Sequence, residues 1–157
     1  MSTRSSAPTD KLWAALTTVT DYPQWTKSIT AVTPLDDVSL TPGHRFRVQQ
    51  PGMPPLVWTV TDVEPGRSYA WESSTMGVRT VGRHWLTQQP DGSTQINLEI
   101  EQTGLLAKLV WALTGARTRR YMGLEANGIK TAAEARSGEG RATSTGGAQG
   151  DSAAESG

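Results

Sequence analysis

The stretch GLLAKLVWALTGARTRRYMGLEANGIKTAAEAR, residues 104–136, contains no proline and predicts one long helix or two abutting ones. Stepped at about 100° per residue, Leu106, Leu109, Val110, Leu113, Arg117, Tyr121, Leu124, Gly128 and Thr131 share one face. Lys108, Gly115, Arg119, Ala126, Lys130 and Ala133 fall opposite. A helix with one apolar stripe needs a surface to cover. Almost everything before it reads as strand, so the stretch predicts a sheet wrapped around one C-terminal helix. A second strip, Trp111, Met122 and Ile129, is available to N-terminal helices or to the partner chain of a homodimer.

Working outward, residues 94–103 alternate Ile96, Leu98 and Ile100 with Gln95, Asn97, Glu99 and Glu101, the pattern of a strand with one buried face. Pro90-Asp91-Gly92-Ser93 joins it to a strand over 78–89 as a hairpin. Further strands are predicted over 29–35, 44–50, 57–64 and 69–74, separated by Thr41-Pro42-Gly43, the stiff loop 51–55, Pro65-Gly66 and Met76-Gly77. Tight turns without interposed helices imply an antiparallel meander. Near the start, Pro8 and Asp10 open a helix carrying Leu12, Leu16 and Val19, and Asp21 with Pro23 begins a short second one. After Arg136 the chain holds no large apolar residue, so residues 1–136 form the domain and 137–157 are expected to be a disordered tail.

Composition removes several function classes. Fifteen Lys and Arg balance fifteen Asp and Glu, which argues against nucleic acid as partner, since phosphate contacts call for a basic excess. With no cysteine, thiol and disulfide chemistry are excluded. The longest apolar run, 105–113, is interrupted by Lys108 and is too short for a transmembrane segment, and the N-terminus lacks a signal core. The expectation is a soluble, cytoplasmic protein. His44 and His84 stand in no metal-ligand spacing, and phosphate-loop, dinucleotide and nucleophile-elbow motifs are absent, so neither metal nor cofactor is implied.

The words APTDKLWAALTTVTDYPQW (7–25), VTDVEPGRSYAWES (60–73), DGST (91–94) and GLEANGIKTAAEA (123–135) occur in an order that resembles the START-like (SRPBCC) helix-grip superfamily, in its bacterial polyketide cyclase/dehydrase-like branch. The resemblance covers roughly residues 5–135. It implies an α+β helix-grip fold: a curved antiparallel sheet around a long C-terminal helix, with two short N-terminal helices. It also implies a cavity between sheet and helix for a small hydrophobic, aromatic or lipid ligand. The family opens with a full edge strand, for which MSTRSS is too short. Either that strand is stunted or the true start lies upstream.

Within such a cavity Trp58 and Trp71 are candidate aromatic walls, and Leu106, Val110, Leu113, Tyr121, Leu124 and Gly128 candidate helix-side contacts, although each suits a plain core equally well. Arg117 interrupts the apolar stripe. It either meets a ligand's carboxylate, enolate or carbonyl, or snorkels to water along its aliphatic stem. His84 faces the helix in one hairpin register, with Gly82 and Leu86, and away from it in the other; the first is preferred. An inward His84 either moves a proton or is a hydrogen-bonded core residue. Three functions follow: a binding module for a small hydrophobic molecule; a cyclase or dehydratase for an aromatic polyketide-like precursor, using His84, Arg117 and Tyr121; and a lipid or membrane-surface protein using 105–113 as an amphipathic ramp.

Overall fold

Seven antiparallel strands run in the order β1-β7-β6-β5-β4-β3-β2, where β1 is Ser2–Ser5, β2 Ala31–Pro34, β3 Arg45–Gln49, β4 Leu56–Glu64, β5 Ser68–Thr75, β6 Val78–Gln88 and β7 Thr94–Thr103. The structure, a computed structural model, describes residues 1–145. From β2 to β7 each strand pairs with its successor, because every connection is a turn or short loop and none leaves room for a crossover helix. The exception is β1, four residues long, which pairs with β7 from Ser2 opposite Asn97 to Ser5 opposite Thr94 and covers the far edge.

Helix α1 spans Thr9–Thr17, a 3₁₀ turn covers Val19–Asp21, α2 spans Tyr22–Trp25 and α3 spans Ala107–Thr145. The fold is therefore the α+β helix-grip. Asp21 occupies the N-cap position of α2 without a capping bond; its carboxylate instead accepts from Arg136 at 3.1 Å and ties α2 to α3. Helix α3 continues past Arg136, where the sequence placed its end, because Ser, Gly, Glu and Arg are tolerated in a helix already propagating. Of the tail expected to be disordered over 137–157, residues 137–145 are helical and 146–157 lie outside the described residues.

Between β6 and β7, Gly82 pairs with Ile100, His84 with Leu98 and Leu86 with Ile96. His84, Leu86, Ile96 and Leu98 are all buried, so the concave face carries His84. A register shift between Val60 and Asp62 interrupts the β4–β5 ladder, the kind of irregularity that bends a sheet. Beneath the sheet the core is filled by Leu12, Leu16, Tyr22, Phe46, Tyr69 and Ile129, all at or near zero exposure.

Helix α3 turns a different face inward from the one its leucines predict. Buried positions of α3 are Glu125, Ala126, Ile129 and Ala133, with Thr118 and Met122 half-buried on the same side; of the predicted face Gly128 is buried and Arg117, Tyr121 and Leu124 are half-buried, whereas Leu106, Leu109 and Leu113 are exposed. The two faces differ by roughly one residue step, ~100°. Ala126 and Ala133, expected on the outer side, are in the core, and the strip expected to be secondary supplies Met122 and Ile129 to the interior. Small side chains let the helix axis approach its neighbours, and close approach gains more contact than a distant row of leucines. Gly128 illustrates this: a Cβ there would collide with the Trp25 ring and stand 2.7 Å from the Trp25 carbonyl oxygen. It serves α2–α3 packing.

Candidate functional site

A cavity of about 100 Å³ lies between the concave sheet and α3. Its floor is aromatic. Trp58 on β4 and Trp71 on β5 lie side by side, with ring centroids 5.1 Å apart. Trp71 can lie over β6 because Gly82 has no side chain; a Cβ there would stand 2.6 Å from Trp71 Nε1. Ile29, Val48, Leu56, Leu98 and Ile100 add aliphatic wall, and Thr118, Tyr121, Met122 and Glu125 close the cavity from α3.

His84 and Glu125 form the polar pole. His84 Nε2 stands 2.9 Å from Glu125 Oε1, and both residues are buried. A carboxylate only accepts, so the pairing places a ring proton on Nε2; in the neutral ring Nδ1 is then an acceptor. That Nδ1 is buried and has no partner. The imidazole is fixed from both sides: Tyr69 stacks on it at 4.3 Å with 7° between planes, and Trp71 meets it edge-on at 5.8 Å. Behind it, the hydroxyls of Tyr69 and Tyr22 are 3.0 Å apart, and Tyr22 donates to the Leu16 carbonyl at 2.7 Å. Burial pushes both phenols well above their ordinary value, and the Glu125 charge raises both further.

A second polar group lines the cavity. Gln102 donates from Nε2 to Thr80 Oγ1 at 3.3 Å, while its Oε1 is buried without a partner. His84 and Gln102 thus both line the cavity, and each has one buried polar atom without a partner, Nδ1 and Oε1. Leaving a buried polar group unpaired costs about 1–3 kcal/mol.

Of the residues singled out from sequence, Trp58, Trp71, His84 and Tyr121 line this cavity. Leu106 and Leu113 are exposed, Val110 and Leu124 are half-buried outside it, and Gly128 meets Trp25. Arg117 does not line it either. Its Nη1 donates to the Gly52 carbonyl at 3.3 Å, and Tyr121 donates from its hydroxyl to the Pro51 carbonyl at 2.9 Å. Arg117, Tyr121 and His84 therefore do not converge on one point; the first two strap the 51–55 loop to α3. Glu99 and Glu101, read as solvated, pair with Arg83 at 2.8 and 2.9 Å.

Sequence reasoning missed Glu125. It follows Met122 by three residues and precedes Ile129 by four, so a lone carboxylate on that strip was the available signal. Among the described residues no cluster of three or more metal-ligating side chains occurs, and no helix is long and apolar enough to cross a membrane.

The model of the family described as polyketide cyclase / dehydrase and lipid transport matches residues 1–134. The chain belongs to that family. No curated protein matches it. Solved structures of similar fold include hypothetical protein jhp0584 from Helicobacter pylori, 14% identical with a TM-score of 0.70, covering 83% of this chain and 84% of that one. The Zhui aromatase/cyclase from Streptomyces sp. R1128 is 18% identical with a TM-score of 0.67, over 87% and 92% of the two chains. Ara h 8.0201 is 14% identical with a TM-score of 0.62, over 86% and 95%. At these identities the likeness is one of fold. For a member of the polyketide cyclase/dehydrase and lipid-transport family, the coarse function is to enclose a hydrophobic ligand between sheet and helix.

Proposed function

We propose that this protein binds a small hydrophobic molecule bearing a hydrogen-bond donor, in the cavity between Trp58, Trp71 and α3. The observation that carries this reading is a cavity floored by Trp58 and Trp71 at which two lining residues, His84 and Gln102, each hold a buried polar atom without a partner, His84 Nδ1 and Gln102 Oε1. A hydroxyl or N–H on the ligand supplies the missing donor while its apolar body covers the tryptophans. Size sets a further bound. An apolar cavity of about 150 Å³ admits benzene, so at about 100 Å³ even a single ring calls for a wall to give, and the 51–55 loop, which brings Met53 to the cavity, is the wall placed to do so.

Native mass spectrometry of freshly purified protein tests for a co-purifying molecule. Tryptophan fluorescence titration with phenol and with toluene tests the donor. Phenol is expected to bind several-fold more tightly, and His84→Phe to reduce that preference. Equal affinities would refute the reading.

A second reading is catalytic, as a cyclase or dehydratase on an aromatic polyketide-like precursor. It is favoured by the His84–Glu125 pair, an imidazole oriented by a carboxylate at a cavity wall, the arrangement of a general base and its orienting group. On this reading His84 Nδ1 takes the ligand's proton and Glu125 steadies the ring. Turnover of an aromatic polyketide-like precursor that His84→Gln abolishes would support it; turnover that survives the substitution would exclude His84.

A further inference from the structure

We infer that the outward face at the start of α3 docks on an anionic membrane surface. Leu106, Leu109 and Leu113 recur at i, i+3 and i+7 and so share one side of the helix. That side faces away from the fold: Leu106 is 44% exposed, Leu109 57% and Leu113 77%, and Leu105 just before the helix is fully exposed. The less exposed positions of the same turns are mostly small or polar, Ala107, Thr114 and Thr118 with half-buried Val110, while Gly115 is covered by the Trp111 ring of the same helix. This third of the helix therefore inverts the pattern of a core helix, with bulk in solvent and small residues against the domain.

The adjoining turn adds to the patch. Gly104 is in contact with the Gly77 carbonyl, which sets the Met76-Gly77 turn beside the start of α3. Met76 is 84% exposed and sits at φ 49°, a left-handed conformation that disfavours a bulky side chain. A contiguous exposed apolar surface of this kind marks a place of association.

Charge decides what associates. From 104 to 124 the chain carries Lys108, Arg117, Arg119 and Arg120 and no acidic residue, although its overall charge is zero. The Arg119 guanidinium lies 5.7 Å from the ring centroid of half-exposed Trp111, an indole and a cation together, as favoured at the level of lipid headgroups. An apolar stripe flanked by cations matches a leaflet of anionic lipid, which attracts each cation while the leucines enter the acyl boundary. A second copy of this chain would bring the same cations to the same patch and be repelled. The helix is not apolar enough to cross, so it lies in the interface. This inference rests on the surface and is independent of what the cavity holds.

Sedimentation with vesicles of phosphatidylcholine, with and without phosphatidylglycerol, tests it. Binding is expected on the anionic vesicles and should weaken as salt rises. The double variant Leu109→Ser/Leu113→Ser should weaken binding roughly tenfold or more. Arg119→Gln/Arg120→Gln should weaken it on anionic vesicles and leave neutral ones indifferent. All four residues are exposed, and far-ultraviolet circular dichroism checks that the variants remain folded. Protein that stays in the supernatant with anionic vesicles would overturn the proposal. So would binding insensitive to the serine substitutions, or a dimer in sedimentation velocity that those substitutions dissolve.

Discussion

His84 Nε2 and Glu125 Oε1, 41 residues apart in the chain, meet at 2.9 Å and join strand β6 to helix α3. No other hydrogen bond between side chains links the strand to the helix among the described residues, and both partners are buried. Breaking a buried pair by removing one partner costs about 3–5 kcal/mol, because the other group loses water and partner together. Glu125→Ala should therefore destabilise by about that amount in urea unfolding. Glu125→Gln, whose amide oxygen still accepts from Nε2, should cost about 1–2 kcal/mol. Equal effects would mean that side-chain volume, not the bond, secures this position.

Gly82→Ala should disturb the cavity floor. The new Cβ would stand 2.6 Å from Trp71 Nε1 and 2.9 Å from its Cδ1, and the indole is hemmed by Trp58, Tyr69 and His84. Overpacking of this kind costs about 1–3 kcal/mol. The thermal midpoint should fall and the near-ultraviolet dichroism of the tryptophans should change. A spectrum identical to the parent's would show that Trp71 has room to move.

The fold should weaken in alkali. Burial holds the phenols of Tyr22 and Tyr69 protonated well above the ordinary value of 10.0. The folded state thus binds these protons more tightly than the unfolded chain. Their contribution is complete below pH 10 or so and is lost as pH rises beyond it. The double variant Tyr22→Phe/Tyr69→Phe should show a shallower alkaline decline in thermal midpoint. At neutral pH it should be less stable by about 1–3 kcal/mol, since the Leu16 carbonyl loses its donor. Parallel declines in the two proteins would assign the alkaline loss to other groups.

These relationships were unevenly legible in the sequence. The β7 alternation of Ile96, Leu98 and Ile100 marks the buried side of β7 but leaves two registers for β6, so an inward His84 was the preferred of two readings, and the observed pairing of His84 with Leu98 selects it. The phase of α3 was not. Its leucines Leu106, Leu109 and Leu113 stand in solvent, while the packed face mixes small residues such as Ala126 and Ala133 with Met122, Glu125 and Ile129, and a search for large apolar stripes selects the wrong one. Glu125 was hidden by the same error, since its value depends on facing His84 across the cavity. The strap from Arg117 and Tyr121 to the loop ends on backbone carbonyls, which no side-chain pattern records.

That strap yields the last expectation. Arg117 and Tyr121 reach the carbonyls of Gly52 and Pro51 across 65 and 70 residues, from the exposed side of the cavity. Bonds of this kind, at the surface, contribute about 0.5–1.5 kcal/mol each, so Arg117→Ala/Tyr121→Phe should lower global stability only slightly. The effect on the loop should be larger, because a local opening needs only those bonds to break. Amide hydrogen exchange at Gly52, Met53 and Leu56 should accelerate several-fold while the β6–β7 amides keep their protection. Association and dissociation of a bicyclic phenol such as 2-naphthol, followed by tryptophan quenching, should both quicken, since a ligand larger than the cavity enters only when the loop lifts. Should exchange in the loop stay unchanged, Pro51, Pro54 and Pro55 would be holding it by their own stiffness, and the two side chains would serve packing alone.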